Sequence, residues 1–273
     1  MRSAPAVPRA GWADHASPQE FCRQTLAVAE AEIRKLRHDP LELLTRAVQP
    51  TLWLLIFGEV FTRVRDIPTG GLRYLDFMAP GILAQSVLFI AIFYGISVIW
   101  ERDLGILHKY LVSPASRAAL VLGKAVSAGV RALCQATIVY LLALLMGIRI
   151  QWTLGAVLGV GLFIVLGAAV FSTLSLVVAC LVKTRERFMG MGQVLTMPLF
   201  FASNAIYPLA LMPRWLQLVS TVNPLTYQVD ALRALMIQGG QSVFGLGTDL
   251  GVHVITLTLL VGLVARLYPG IIN

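Results

Sequence analysis

Residue types that perform chemistry occur in this chain, but not at the spacings that reactions need. Gly123-Lys124 could close a phosphate-binding loop, yet Ala125 follows and Ala118 stands where the upstream glycine belongs. Such a loop cradles phosphate with glycine backbone and orders its metal through a following hydroxyl, and both are missing. His15, His38, His108 and His253 are scattered, with no H-E-x-x-H pair and no G-x-S-x-G elbow. Cys22, Cys134 and Cys180 match no metal or redox spacing; the last two sit in apolar stretches, where a thiol packs as a small hydrophobe. Glu59 is the only acid inside the apolar runs expected to span, so proton-carrying groups are scarce. The chain is expected to be no enzyme and to draw its energy from another polypeptide.

Recognition chemistry is more visible. In Glu101-Arg-Asp-Leu-Gly-Ile-Leu-His-Lys-Tyr-Leu-Val-Ser-Pro114, Leu104, Leu107 and Leu111 share one face of a short helix. Glu101, Arg102, Asp103 and Lys109 surround them. Such a helix docks its apolar ridge into a partner's groove while its charges set register. The same composition also suits a loop helix resting on a membrane.

The elements that would carry this segment belong in a bilayer. Of 273 residues, 57% are apolar and 13% charged, where a soluble domain has about a quarter charged. Six apolar runs stand out, at about 47–62, 77–100, 118–147, 152–182, 190–209 and 250–268. A span takes about 20 residues, so the first is short and the third and fourth tilt or protrude. The predicted class is an all-α integral membrane protein of six transmembrane helices. Residues 1–16 read as a disordered tail and 17–39 as an amphipathic helix at the membrane interface, opened by Ser17-Pro18-Gln19-Glu20 and closed by Asp39-Pro40. A soluble helix packed on a partner fits the same pattern. Residues 40–273 form the transmembrane domain, with no cleaved signal peptide expected before it.

Between the last two runs, Met212-Pro213 and Asn223-Pro224 each resemble a cap followed by a first-turn proline. The second opens a helix too short to span, ended by Gly239-Gly240, on which Asp230 and Arg233 are spaced to pair. Short re-entrant or surface-lying helices on the external side are expected. Arg131 interrupts the third run. An arginine at mid-bilayer costs roughly 2.5–3.5 kcal/mol on insertion scales, which places it near the cytosolic headgroups unless it is a buried functional group.

The net charge of +8 follows topology rather than nucleic acid, for the basic residues sit between apolar runs with no stripe of interleaved aromatics. With the N-terminus inside, seven Lys and Arg precede the first run; Arg102, Lys109, Arg117, Lys124, Lys183, Arg185, Arg187 and Arg266 share that side, making fifteen. Arg63, Arg65, Arg73, Arg149, Arg214 and Arg233 make six on the other. Both termini are therefore expected in the cytosol.

Glu101-Arg102, Gly105, Tyr110 and Pro114, then Leu122-Gly123-Lys124, Arg131, Gln135 and Gly147, occur in an order that resembles the ABC-2-type exporter permeases, more narrowly their drug-resistance and antibiotic-export branch. Ala79-Pro80-Gly81-Ile82 and Asn223-Pro224-Leu225-Thr226-Tyr227 also match, and the resemblance runs from about residue 20 to the end. It implies a bacterial cytoplasmic-membrane permease that pairs with a second copy or a paralogue and with two cytosolic ATPase subunits, which hold the ATP and Mg. It implies that residues 18–37 form the interface helix and that Glu101, Arg102, Leu104, Gly105, Leu107, Lys109, Leu111 and Pro114 belong to the coupling helix. The route would follow the first, second and fifth spans, where Trp53, Phe57, Gln85, Phe89, Gln193, Met197 and Phe201 are candidates, each equally readable as helix packing. The implied cargo is a hydrophobic or amphipathic drug, antibiotic or lipid. A lipid-linked glycan would need more polar rings than these spans carry. A non-transporting membrane scaffold and an intramembrane enzyme are the readings from other classes, the latter opposed by the missing catalytic groups.

Overall fold

The computed structural model describes residues 48–62, 69–104, 117–182 and 184–267, together with Gln19, Arg23, Leu26, Ala27 and Glu30, which are helical and exposed. Most of the helix expected at 17–39, and all of 105–116, lie outside the described residues. Among the described residues the regular elements are helices, with one isolated bridge between Ile150 and Ile237.

Helix α1 is Val48–Gly58, wound as a π-helix over Trp53–Gly58 and continued by Glu59–Thr62. Then come α2 (Tyr74–Tyr94), α3 (Ile96–Asp103), α4 (Arg117–Leu145), α5 (Leu154–Leu181) and α6 (Arg185–Phe201). A 3-10 turn at Leu209–Leu211, α7 (Arg214–Val222) and α8 (Pro224–Met236) lead to α9 (Leu246–Leu267). By length and composition α2, Val121–Leu145 of α4, α5 and α9 can each cross a membrane; Val48–Gly58 is a shorter apolar helix. The chain is thus all-α with four such spans among the described residues.

Helix α2 is the axis of the fold. It is apolar on every side, and Tyr74 through Leu88 are all buried, against α5, α4 and α8 above all. An all-round apolar helix has no preferred face and settles wherever its whole surface is covered. Helix α9 is also apolar, yet buries only Asp249, His253 and Val264. Hydrocarbon solvates the rest of such a helix as well as protein does.

Several boundaries differ from the sequence expectation. The run at 77–100 is not one helix: it breaks after Tyr94, where Gly95 packs so closely on Ser175 and Phe188 that no Cβ fits. There the Ile92 carbonyl receives both the Gly95 N–H, at 3.2 Å, and the Ser175 hydroxyl. The run at 190–209 is helical over Arg185–Phe201, because residues 202–206 turn across α2. Helices α2 and α9 begin earlier than hydropathy suggests and take in Asp76 and Asp249, so Glu59 is not the only acid within a span. Cys134, expected to pack, is exposed.

Those acids are held by local partners. Asp76 pairs with Arg73 at 3.1 Å and accepts the Arg149 N–H at 3.3 Å, while Arg73 also donates to the Gly147 carbonyl at 2.9 Å. Asp230 and Arg233 do not pair. Asp230 accepts from the Ser242 hydroxyl (2.8 Å) and from the Val243 and Phe244 N–H groups (2.8 and 3.0 Å). Arg233 donates to the carbonyls of Phe77 (3.3 Å) and Asn204 (2.7 Å), its guanidinium 3.8 Å from the Phe77 ring centroid. Burial lowers that guanidinium to about 10, the Asp230 charge opposing the shift, so it stays protonated near neutral pH. Ser242 also lies 3.0 Å from Asp249 Oδ2, so its hydroxyl stands between the two carboxylates.

Gly81 marks a close crossing of main chain. A Cβ there would meet the backbone of Ala205, whereas at Gly155 in α5 nothing lies within 4 Å. Gly81→Ala is expected to destabilise the protein by about 1–3 kcal/mol, because the clash is with main chain. Gly155→Ala is expected to leave it unchanged or slightly more stable. Thermal melts of both variants in the same detergent check this.

Candidate functional site

The residues predicted to line a route fall into two places. Trp53 and Phe57 stack along α1 with ring centroids 4.4 Å apart, and Trp53 meets the edge of Phe200 at 5.6 Å. Phe200 adjoins Phe201 at 5.3 Å, and Phe57 continues through Phe61 to Tyr74. An aromatic seam therefore joins α1 to the end of α6. Its outer side is bare: Leu55, Ile56, Phe57 and Phe201 are exposed, and so is Gln193. Met197 is half-buried.

Gln85 and Phe89 lie elsewhere, in a cavity of about 290 Å³ between α1, α2 and α4. Gln49, Pro50, Ser86, Ile90, Phe93 and Gln135 complete its lining. Gln85 is 3% exposed and Gln135 1%. The Gln85 carbonyl oxygen and both amide atoms of Gln135 have no hydrogen-bond partner among the described residues. Gln49 also borders a groove of about 340 Å³ running down α1 past Leu52, Trp53, Ile56 and Phe57.

Sequence reasoning had no role for Gln49 and treated Gln135 only as part of a family pattern. A signal was available. Lys124, Ser127, Arg131 and Gln135 recur at steps of three and four, a polar stripe on an otherwise apolar helix. In the fold this stripe turns inward: Lys124, Ser127 and Gln135 are buried. The Lys124 ammonium and Arg131 guanidinium lie 5.9 and 5.1 Å from the centre of the Tyr94 ring. Arg131 is thus level with the last residue of α2.

Of the coupling-segment residues, Glu101 and Arg102 are in α3 and Leu104 is 66% exposed just beyond it. Gly105, Leu107, Lys109, Leu111 and Pro114 lie outside the described residues. The base of the segment is firmly seated. Ile99 packs with Val178, Ala179 and Val182 of the α5 end and with Phe188 of α6, while Arg185 covers the Trp100 ring at 3.7 Å.

At the opposite end Asn223 ties two elements together. Its carbonyl oxygen caps α8 by accepting the Leu225 N–H at 3.0 Å. Its amide donates to the carbonyls of Leu199 (2.7 Å) and Ala202 (3.0 Å), which α6 leaves open where it ends. Tyr227 reaches back to the Thr221 carbonyl at 2.7 Å, and Thr226 meets Ser220 at 2.9 Å.

The family model of the ABC-2 type transporter matches residues 23–237, which takes in α1 through α8 and most of the chain. The chain belongs to the ABC-2 type transporter family. Similar proteins include one from Cyanophora paradoxa named as transport permease ycf38, 29% identical over 79% of this chain and 74% of its own. The daunorubicin resistance ABC transporter permease protein DrrB1 of Streptomyces coeruleorubidus is 25% identical over 85% and 81%. The inner membrane transport permease YadH of Escherichia coli is 25% identical over 70% and 73%. As an ABC-2 permease, this chain is a membrane transport component and not an ATPase, and the family implies a partner ATP-binding subunit where ATP and Mg act.

In this ABC-2 permease, Asn223→Ala removes a cap and two donors at once. It is expected to lower stability by about 1–3 kcal/mol. Asn223→Asp keeps the cap but sets an accepting carboxylate oxygen against the Leu199 and Ala202 carbonyls, and should melt no higher than alanine in detergent.

Proposed function

We propose that this permease is the membrane subunit of an ATP-driven exporter that moves a hydrophobic or amphipathic compound out of the cytosol or inner leaflet. The observation that carries the reading is the aromatic seam of Trp53, Phe57, Phe200 and Phe201, bare on its outer side at the junction of α1 and α6. A second permease, identical or paralogous, would cover that side and form the route with it. The drug-resistance name of the Streptomyces relative supports a cargo of this type.

In this reading six helices cross a bacterial inner membrane. Helices α1 and α6 join the four long spans. Both termini are cytosolic, as the charge count favours, and α7 and α8 are re-entrant or surface-lying on the external side. Two ATPase copies bind on the cytosolic face. The coupling helix runs from Glu101 to Pro114, and the packing of α3 on α5 and α6 supports transmission, since a rigid-body displacement of α3 carries both neighbours with it. Gln193 and Met197 extend the route beside the seam, and Gln85 and Phe89 would join it from the cavity between α1, α2 and α4.

Gly105→Pro and Leu107→Asp are each expected to weaken copurification of the ATPase, or its coupling to transport, by at least about tenfold, the equivalent of one or two buried contacts. Both permeases should still insert normally. Full ATPase binding together with full transport in both variants would remove the coupling helix from these residues. In the reconstituted complex, hydrophobic compounds that are cargo should stimulate ATP hydrolysis.

A further inference from the structure

The cavity between α1, α2 and α4 is separate from the aromatic seam, and its chemistry is unusual for a membrane interior. Polar side chains buried among apolar helices normally find partners, because an unsatisfied amide is costly. Gln85 and Gln135 are buried to 3% and 1% exposure, yet three of their amide atoms have no partner among the described residues. They face a space of about 290 Å³ together with Gln49, and its other walls include Phe89, Ile90 and Phe93. Among the described residues the lining holds amides and a hydroxyl but no charged side chain. That volume is at the bottom of the range for drug-sized pockets, so it accommodates one polar moiety and not a whole amphiphile. The α1 groove that begins at the same Gln49 offers Leu52, Trp53, Ile56 and Phe57 to the remainder.

We infer that this cavity is a binding site for the uncharged, hydrogen-bonding head of an amphiphile, a polyol or sugar-like group, whose apolar tail lies along α1. Amides both donate and accept, so they match hydroxyl and carbonyl groups, and a ring face of the ligand meets the Phe89 and Phe93 rings. An anionic or cationic head would lose its hydration without a counter-charge in the lining. The site narrows the cargo of the exporter proposed under "Proposed function"; binding itself is independent of that reading, and only the transport of the bound amphiphile rests on it.

The test uses the full chain in phosphatidylcholine nanodiscs and three photoactivatable probes with the same dodecyl tail: a glucoside, a phosphate and a trimethylammonium. The glucoside is expected to label peptides containing Phe89, Phe93 and Gln135, and unlabelled dodecyl glucoside alone should compete. Gln85→Leu with Gln135→Leu should reduce that labelling about tenfold, as loss of two ligand hydrogen bonds does. The doubly substituted protein should melt no lower than wild type, because the amides it removes have no protein partner. Equal labelling by the charged probes, labelling indifferent to the two substitutions, or labelling confined to the outer faces of α1 and α6 would overturn the assignment. So would a large loss of thermal stability in the variant, which would give the amides a structural role. Labelling without ATP-dependent movement of the glucoside in the reconstituted complex would leave the site standing and reject export instead.

Discussion

Helices in a bilayer gain little from apolar burial against one another, because lipid tails are as apolar as leucine. The central position of α2 must therefore rest on close approach and on hydrogen bonds that hydrocarbon cannot supply. Both are present at each end. Gly81 lets the stretch of chain after α6 cross in main-chain contact, and Tyr74 donates to the Ile206 carbonyl at 2.9 Å beside it. At the far end Ser175 donates to the Ile92 carbonyl where Gly95 brings α5 and α6 close. Arg233 closes the arrangement by donating to the carbonyls of Phe77 and Asn204, linking α8, α2 and the turn after α6.

This framework gives α2 two different neighbourhoods. Toward α4 it meets a polar stripe and encloses amides; near α1 and α6 lies a continuous run of aromatic rings. The two linings share α1, for Gln49 borders both the cavity and the groove that runs past Trp53 and Phe57. The family assignment gives the chain a transport role, and the two linings differ in chemistry, one offering amides and the other ring faces and apolar side chains.

Much of the architecture was legible in the sequence, for identifiable reasons. Apolar runs as strong as 154–181 can hardly be anything but spans, and Asn223-Pro224 announces the start of α8 because its cap chemistry is local. Helix ends were harder. Hydropathy discounts Asp76 and Asp249, but Arg73 pairs with the first and Ser242 lies 3.0 Å from the second, so both helices continue outward. The break at Gly95 depends on Ser175 and Phe188, which are distant in sequence. Likewise the spacing of Lys124, Arg131 and Gln135 reveals a stripe, whereas its pairing with Gln85 and Gln49 requires the register between helices. The i,i+3 spacing of Asp230 and Arg233 misled for the same reason: nearby main-chain groups offered each a better partner than the other.

The interruption at Gly95 has a mechanical meaning. The segment before it, 21 residues of α2, extends about 32 Å, and the eight residues of α3 about 12 Å, at 1.5 Å per residue. The glycine, seated on Ser175 and Phe188, stands between a long arm and a short one. If the two arms turn together about it, a given displacement at the tip of α3 is magnified roughly 2.6-fold at Tyr74, in proportion to the two lengths. If they turn independently, the short arm spends its travel on α5 and α6. In the proposed exporter, the stiffness of this one glycine junction would set how much of a push on α3 reaches Tyr74.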